Sequence, residues 1–164
     1  MILRIPPTLV LVLTALLLTA SARPAVRGSP EEVDGFVLTH LPHGIGTGVA
    51  DFRTEWGGVA FASRVWERRL PDGGHRVDAK VNVMRGERLR DLASLRAFLA
   101  EYHEHDPDDW HLVAFEHPEG HGLRTSGFVF WLVRPGTAVS IRLDPERFGA
   151  AELTRTALGT KSAG

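Results

Sequence analysis

The sequence predicts an α+β fold in which two helices pack against a mainly antiparallel sheet of about six or seven strands. Three observations predict it: regular alternation at residues 75–84, a helical apolar stripe within 91–104, and a continuous apolar run at 128–134. Strands that alternate apolar and polar side chains have one buried and one solvated face, which is typical of antiparallel sheets. The predicted order is β-β-β-α-β-β-β-β-α, which belongs to the α+β class.

The first half of the chain carries three predicted strands. Residues 36–41 form a short apolar run before a proline, and residues 58–69 alternate apolar and polar side chains. A Pro-Asp-Gly-Gly turn follows, and residues 75–84 then alternate most regularly. On this third strand the alternation predicts a buried face of four apolar side chains, while the solvated face carries Arg76, Asp78, Lys80 and Asn82.

The second half begins with a helix. Asp91 is a favourable N-cap, and apolar side chains then recur at three- and four-residue spacing along one stripe. The helix must end near Glu104, because Asp106 precedes a proline and is disfavoured in helical conformation. The remaining predicted elements are strands at 110–116, 123–126, 128–134 and 138–143 and a final helix at 150–158.

The N-terminus has the pattern of a secretory signal peptide. Arg4 precedes the apolar run LVLVLTALLL, and Ala20 and Ala22 form an A-x-A cleavage site. This run is too short to cross a bilayer, which needs about twenty apolar residues. We therefore expect a secreted, extracytoplasmic protein that is cut after Ala22 and has no stable membrane insertion. The predicted organisation is a signal peptide (1–22), a flexible leader (23–35), a single domain (36–159) and a disordered tail (160–164).

Composition narrows the possible functions. The chain has no cysteine, so neither a disulfide nor a cysteine nucleophile is possible. Its formal net charge of −1 favours neither a nucleic-acid-binding protein nor a polybasic membrane-binding protein. The expected partner is an unknown protein or a component of the cell envelope.

Two resemblances agree with this prediction. A first strand ending in Leu41-Pro42, a meander, a helix, a second meander and a C-terminal helix resemble the Mog1/PsbP-like architecture, which several exported bacterial proteins use. The stretches VAFASRVWE (59–67), FLAEYHEHDP (98–107) and FWLVRPGTAVSIRL (130–143) resemble small secreted proteins of unknown function from high-GC Gram-positive bacteria. Both resemblances imply a fold and a location, and neither implies a catalytic residue.

Histidines supply the strongest chemical signal. Five of the eight histidines lie within residues 103–122. A three-residue loop at 118–120 would place His117 and His121 opposite each other in a hairpin, with Cβ atoms about 5 Å apart. Such a pair can bind zinc or copper if a further ligand is added, since an open zinc site uses three protein ligands. The candidates for that further ligand are Glu119, His105, His40 and His43.

Two common hydrolytic motifs are absent. The chain contains neither H-E-x-x-H nor G-x-S-x-G. Residues 44–48 read G-x-G-x-G, but no helical pattern follows that could hold a phosphate, so they predict a flexible connection. These absences favour a domain without enzymatic activity, and no cofactor is expected.

A second candidate surface surrounds Trp66. This residue lies on the opposite face of its strand from the apolar residues and beside Arg64 and Arg68. The indole is either covered by a helix, which we favour, or exposed as part of a binding patch. The sequence thus predicts an exported, non-enzymatic domain that binds a partner. The alternative is a metal-binding protein or small metallohydrolase that uses the histidine pair.

Overall fold

The computed structural model of the chain describes residues 31–164, so the predicted signal peptide and most of the predicted leader lie outside the described residues. Within that range, neither helix combines the length and apolar composition that crossing a membrane requires. The elements are β1 (Glu31–Val33), β2 (Phe36–Leu38), β3 (Gly48–Trp56), β4 (Val59–Arg69), β5 (His75–Arg85), α1 (Leu92–Tyr102), β6 (Val113–His117), β7 (Gly120–Arg124), β8 (Phe128–Arg134), β9 (Thr137–Leu143), α2 (Ala150–Leu158) and β10 (Thr160–Ser162).

Seven of the strands form one antiparallel sheet in the order β3-β4-β5-β9-β8-β7-β6. β9 lies at its centre, and β3 and β6 are its edges. The short strands β1 and β10 pair with either side of β2 in a second, three-stranded sheet. The predicted class, α+β with a mainly antiparallel sheet, is confirmed.

The predicted number and order of strands are wrong. The observed order is β-β-β-β-β-α-β-β-β-β-α-β, which adds β1, β3 and β10. β3 is exposed along most of its length, so no apolar alternation marks it as a strand. β1 and β10 have three residues each, and Thr160 pairs with the distant Leu38, which no local pattern reveals. Strands therefore extend into residues predicted as flexible leader (23–35) and disordered tail (160–164).

One face of the seven-stranded sheet, called the first face, packs against α2 and the three-stranded sheet. Alternate side chains of the central strands point into this layer and are almost fully buried. They include Trp66, Val81, Trp131 and Ile141, which pack with Leu153 of α2. This layer is the larger part of the core.

The opposite face, called the second face, packs against α1. Asp91 is the N-cap, as predicted, and forms a capping box with Ser94. The buried side chains of this layer include Phe61, Met84, Phe98 and Phe130. The predictions that Asp78 and Asn82 face water are wrong, because both are buried. The sheet is thus covered on both faces, and alternation alone misidentified one face as solvated.

A bulge in β5 places a buried carboxylate beside the glycine-rich segment. Asp78 is an extra residue in the pairing of β5 with β4 and has no exposed surface. Its carboxylate accepts hydrogen bonds from the Gly46 N–H (2.8 Å) and from Arg68 Nε (2.9 Å), and it contacts the guanidinium of Arg147. Asp78 therefore joins β5 to the segment before β3 and to the segment before α2.

Close packing explains the glycine at position 46. A Cβ atom there would lie 2.2 Å from the carbonyl carbon of Glu67 in β4, so no side chain fits. At Gly46 the chain therefore passes directly over the β4 backbone, and the Gly46 N–H is bonded to Asp78. Gly46 serves this close approach, so the expectation of a flexible connection is wrong at this position.

Candidate functional site

The hairpin of β6 and β7 separates the two predicted metal ligands. His117 pairs with Gly120, so the turn has two residues and not the predicted three. His121 faces Glu116 across the strands. Because side chains alternate along a strand, His117 and His121 point to opposite faces of the hairpin. Gly120 has a positive φ (157°), as a glycine there was predicted to have, but it is the first residue of β7 and not part of the loop.

His117 belongs to the core. Its ring stacks on Trp131 with centroids 4.4 Å apart, and 6% of the residue is exposed. Its Nδ1 accepts a hydrogen bond from the Glu119 N–H (3.1 Å), while Nε2 lies 3.1 Å from the Ala157 carbonyl oxygen and 3.0 Å from that of Thr160. Burial lowers the pKa of His117, which favours a neutral ring that donates from Nε2. Both ring nitrogens are occupied, so neither is free to bind a metal.

The other two predicted ligands make separate contacts. The Glu119 carboxylate accepts hydrogen bonds from the Ser162 N–H (3.0 and 3.1 Å) and so holds β10 against the hairpin. The exposed His121 pairs with Glu116 at 2.6 Å. Between residues 31 and 164, no three His, Cys, Asp or Glu side chains are grouped so that they could hold a metal ion. The predicted zinc or copper site therefore has no converging ligands.

The predicted patch at Arg64, Trp66 and Arg68 is not an open surface. Trp66 is 2% exposed and lies within the first-face core, so the hypothesis of an exposed indole is wrong. Arg64 makes two hydrogen bonds to Asp51, at 2.7 and 2.8 Å. Arg68 is bonded to the buried Asp78. Both guanidinium groups are already neutralised by carboxylates, which leaves no free cation at this position.

A different surface carries unpaired positive charge. A groove of about 400 Å³ lies along β5 and β9, and we call it the basic groove. Lys80 of β5 and Arg142 of β9 face each other directly in the strand register. Directly opposed side chains have Cβ atoms about 5 Å apart, and opposed like charges destabilise a sheet. The other lining residues are Arg76, Val77, Asp78, Leu143, Asp144 and Pro145.

The carboxylates beside the basic groove are neutralised by other residues. Asp78 binds Arg68 and Arg147, and Asp144 lies 3.2 Å from Arg76. In the described range, no carboxylate oxygen lies within 4.0 Å of either Lys80 or Arg142. Residues 1–30 contain no aspartate or glutamate at all. The opposed pair therefore has no acidic partner that could balance its charge.

The environment of the groove already disfavours positive charge. Burial lowers the pKa of Lys80, and the neighbouring Arg142 lowers it further. His103 follows α1, and its ring meets the ring of Phe128 edge-on, with centroids 5.3 Å apart. Phe128 is paired with Arg142 in the register of β8 with β9. Burial, with contributions from Arg142, His105 and Lys80, lowers the pKa of His103 to about 4. His103 is therefore neutral at physiological pH and can donate one N–H.

Next to the opposed pair on the second face, three side chains are joined by hydrogen bonds to one another. The Ser63 hydroxyl donates to Asn82 Oδ1 (2.7 Å), and Asn82 Nδ2 donates to the Ser140 hydroxyl oxygen (3.0 Å). All three side chains are buried. The hydroxyl groups of Ser63 and Ser140 are thus bonded to an amide and not to a base.

Sequence reasoning missed the opposed pair for a physical reason. Alternation placed Lys80 on a solvated face, where an unpaired lysine is unremarkable. Its significance depends on Arg142, which comes 62 positions later and reaches it only through the register of β5 with β9. One local feature distinguishes Lys80 in the sequence: it is one of only two lysines in an arginine-rich chain.

Comparison with known proteins provides no relative. No family model, no curated protein and no solved structure matches this chain.

Proposed function

We propose that the protein is an exported, non-enzymatic binding domain that holds a phosphate group of an extracytoplasmic partner in the basic groove. The observation that carries this proposal is the pair of Lys80 and Arg142, directly opposed and without a carboxylate partner. Two adjacent cations repel each other in the free protein. An anion bound between them removes that repulsion, so the pair is suited to a ligand with negative charge.

The number of charges favours phosphate over carboxylate. A phosphate monoester carries about 1.5 to 2 negative charges at neutral pH, which matches the two cations of the groove. Arginine presents a planar fork of donors to phosphate oxygens, and lysine adds a point charge. Neutral His103, whose pKa both cations lower, can add a further donor. A nucleic acid fits less well, because nucleic-acid binding usually needs several phosphate contacts and the chain is slightly acidic overall.

The side chains of the groove favour binding over catalysis. A serine nucleophile needs an adjacent base, but the hydroxyl groups of Ser63 and Ser140 are bonded to Asn82. The alternative of a metal-binding protein or metallohydrolase needs His117 and His121 to converge, and they point to opposite faces of their hairpin. The extracytoplasmic location is inferred from the signal-peptide pattern in residues 1–22.

Binding of phenyl phosphate tests the proposal. We expect a dissociation constant in the millimolar range, because a small anion makes few contacts at a partly exposed site. Lys80→Gln and Arg142→Gln should each weaken binding about fivefold to tenfold, roughly 1 kcal/mol, by removing one charge-assisted contact. Isothermal titration calorimetry at low ionic strength measures this change, and added salt should reduce the affinity.

Matched controls make the test specific. Lys161→Gln removes the only other lysine, which is exposed on β10, and Arg134→Gln removes an exposed arginine at the end of β8. Neither change should alter the affinity for phenyl phosphate. Benzoate, which has the same ring and a single charge, should bind more weakly. An equal loss of affinity in the two groove variants and the two controls would refute the phosphate site. So would the absence of binding at tens of millimolar phenyl phosphate.

A further inference from the structure

β3 is a long edge strand that lacks a bulge, a proline and a lysine. It has nine residues and pairs with β4 over nine consecutive positions with no bulge. It contains no proline and no lysine, which commonly protect such edges. Phe52, at its centre, is 51% exposed. Throughout residues 31–164 no strand pairs with the outer side of β3, whereas the opposite edge, β6, has only five residues.

The β3–β4 turn determines which backbone groups of β3 point outward. Gly57 and Gly58 have φ values of 56° and 77°, and Trp56 pairs with Val59. Positive φ at both central residues defines a two-residue type I′ turn, in which the flanking residues are hydrogen-bonded to each other. Alternate residues from Trp56 back to Gly48 therefore bond to β4. The outward N–H and C=O groups belong to Val49, Asp51, Arg53 and Glu55.

We propose that two copies of the chain associate by antiparallel pairing of their β3 strands, with Phe52 opposite the partner's Phe52. In this register Asp51 of each copy faces the partner's Arg53, so two opposite-charge pairs form around the two-fold axis. The outward backbone groups of Asp51 and Arg53 also meet as a hydrogen-bonded pair, as antiparallel geometry requires. The interface is isologous, which is the usual arrangement of a two-fold dimer.

Neighbouring registers are disfavoured by charge. A slip of two residues is the smallest that preserves both the faces and the hydrogen bonds of the strands. In one direction it places Asp51 against the partner's Asp51. In the other direction it places Arg53 against the partner's Arg53 and Asp51 against the partner's Glu55. Like charges directly opposite each other destabilise pairing, so the Phe52-centred register is the complementary one that uses all nine residues.

The contacts of β3 within one chain are compatible with this pairing. The Arg53 side chain is 79% exposed although it reaches Asp34 at 3.0 Å, and the Asp51 side chain is 62% exposed although it binds Arg64. Both charged groups therefore retain surface that a second copy can contact. The basic groove lies on β5 and β9, away from this edge, so the dimer and the phosphate site can fail independently.

A single cysteine placed on β3 tests the register directly. The chain has no cysteine, so a Phe52→Cys variant can form a disulfide only with another copy of itself. Opposed residues in a non-hydrogen-bonded antiparallel pair have Cα atoms about 4.5 Å apart, which lies within the range of disulfides. We expect Phe52→Cys to become mostly a covalent dimer under mild oxidation, as judged by non-reducing electrophoresis.

Thr54→Cys is the matched control, because it lies on the same strand and face. In the proposed register it faces the partner's Ala50 and not its own copy, so it should form no disulfide and should migrate as a monomer in the same non-reducing electrophoresis. Sedimentation equilibrium of the unmodified protein should show a dimer whose dissociation constant rises about tenfold in Arg53→Glu and not in Arg134→Glu. Cross-linking of Thr54→Cys in place of Phe52→Cys, or a monomer at all accessible concentrations, overturns the proposal.

Discussion

Replacing Asp78 with alanine is expected to lower the free energy of unfolding by about 3–5 kcal/mol, which is the usual cost of removing one partner of a buried ion pair. The Asp78 carboxylate is fully buried and contacts Arg68, Arg147 and the Gly46 N–H. Alanine leaves these donors without their acceptor and detaches the segment before β3 from the sheet. Urea denaturation followed by circular dichroism measures the change without screening the charges.

Two further variants separate charge from position. Asp109→Ala removes an exposed carboxylate from the loop before β6 and should change stability by less than about 0.5 kcal/mol. Asp78→Asn keeps the shape of the side chain but loses its charge, so its effect should lie between those of the two alanine variants. If Asp78→Ala lowers the free energy of unfolding by less than about 1 kcal/mol, the contacts of Asp78 do not stabilise the fold as proposed.

Trp131→Ala is expected to destabilise the protein by a similar amount, about 3–5 kcal/mol, because it opens a large cavity in the first-face core. Trp131 is completely buried on β8 and stacks on His117 at 4.4 Å. It also contacts Phe115, with ring centroids 6.2 Å apart. Loss of the indole removes the surface against which His117 packs, so β6 should loosen together with β8. Thermal and urea denaturation measure the stability change.

The tryptophan series has its own internal controls. The indole Nε1 of Trp131 has no hydrogen-bond partner among the described residues, so Trp131→Phe removes an unsatisfied donor as well as some volume. We expect it to cost less than half as much as alanine. Trp56→Ala, at a tryptophan that is 37% exposed, should also cost less than Trp131→Ala. Equal losses at positions 56 and 131 would contradict the assignment of the main core to the first face.

The sequence predicts those elements of the fold whose signals are local. β5 alternates because one of its faces packs against the first-face core, and α1 begins where Asp91 caps it. β3 could not be predicted in this way, because an edge strand that is exposed on both faces has no apolar pattern. The three-stranded sheet depends on pairing between β2 and β10. Contacts over that sequence distance are established by tertiary packing and not by any short pattern.

The candidate site was less predictable than the fold, because the positions of its side chains depend on strand pairing that is correct to within one residue. One residue fewer in the β6–β7 turn changes His117 and His121 from facing neighbours into side chains on opposite faces. Trp66 was correctly placed opposite Val65, but whether it was covered depended on elements distant in sequence. The opposed cations of the basic groove depend in the same way on the pairing of two strands far apart in the chain.

The most direct test of an anion site in the basic groove is a nuclear magnetic resonance titration of His103 with and without sulfate. Sulfate stays doubly charged over the relevant pH range, so only the protein titrates.

The pKa of His103 in the free protein is about 4. An anion held by Lys80 and Arg142 favours the charged imidazolium and should raise the pKa of His103 by about one unit. A pKa of His103 that saturating sulfate leaves unchanged, or raises equally in Lys80→Gln and Arg142→Gln, would contradict binding at this groove.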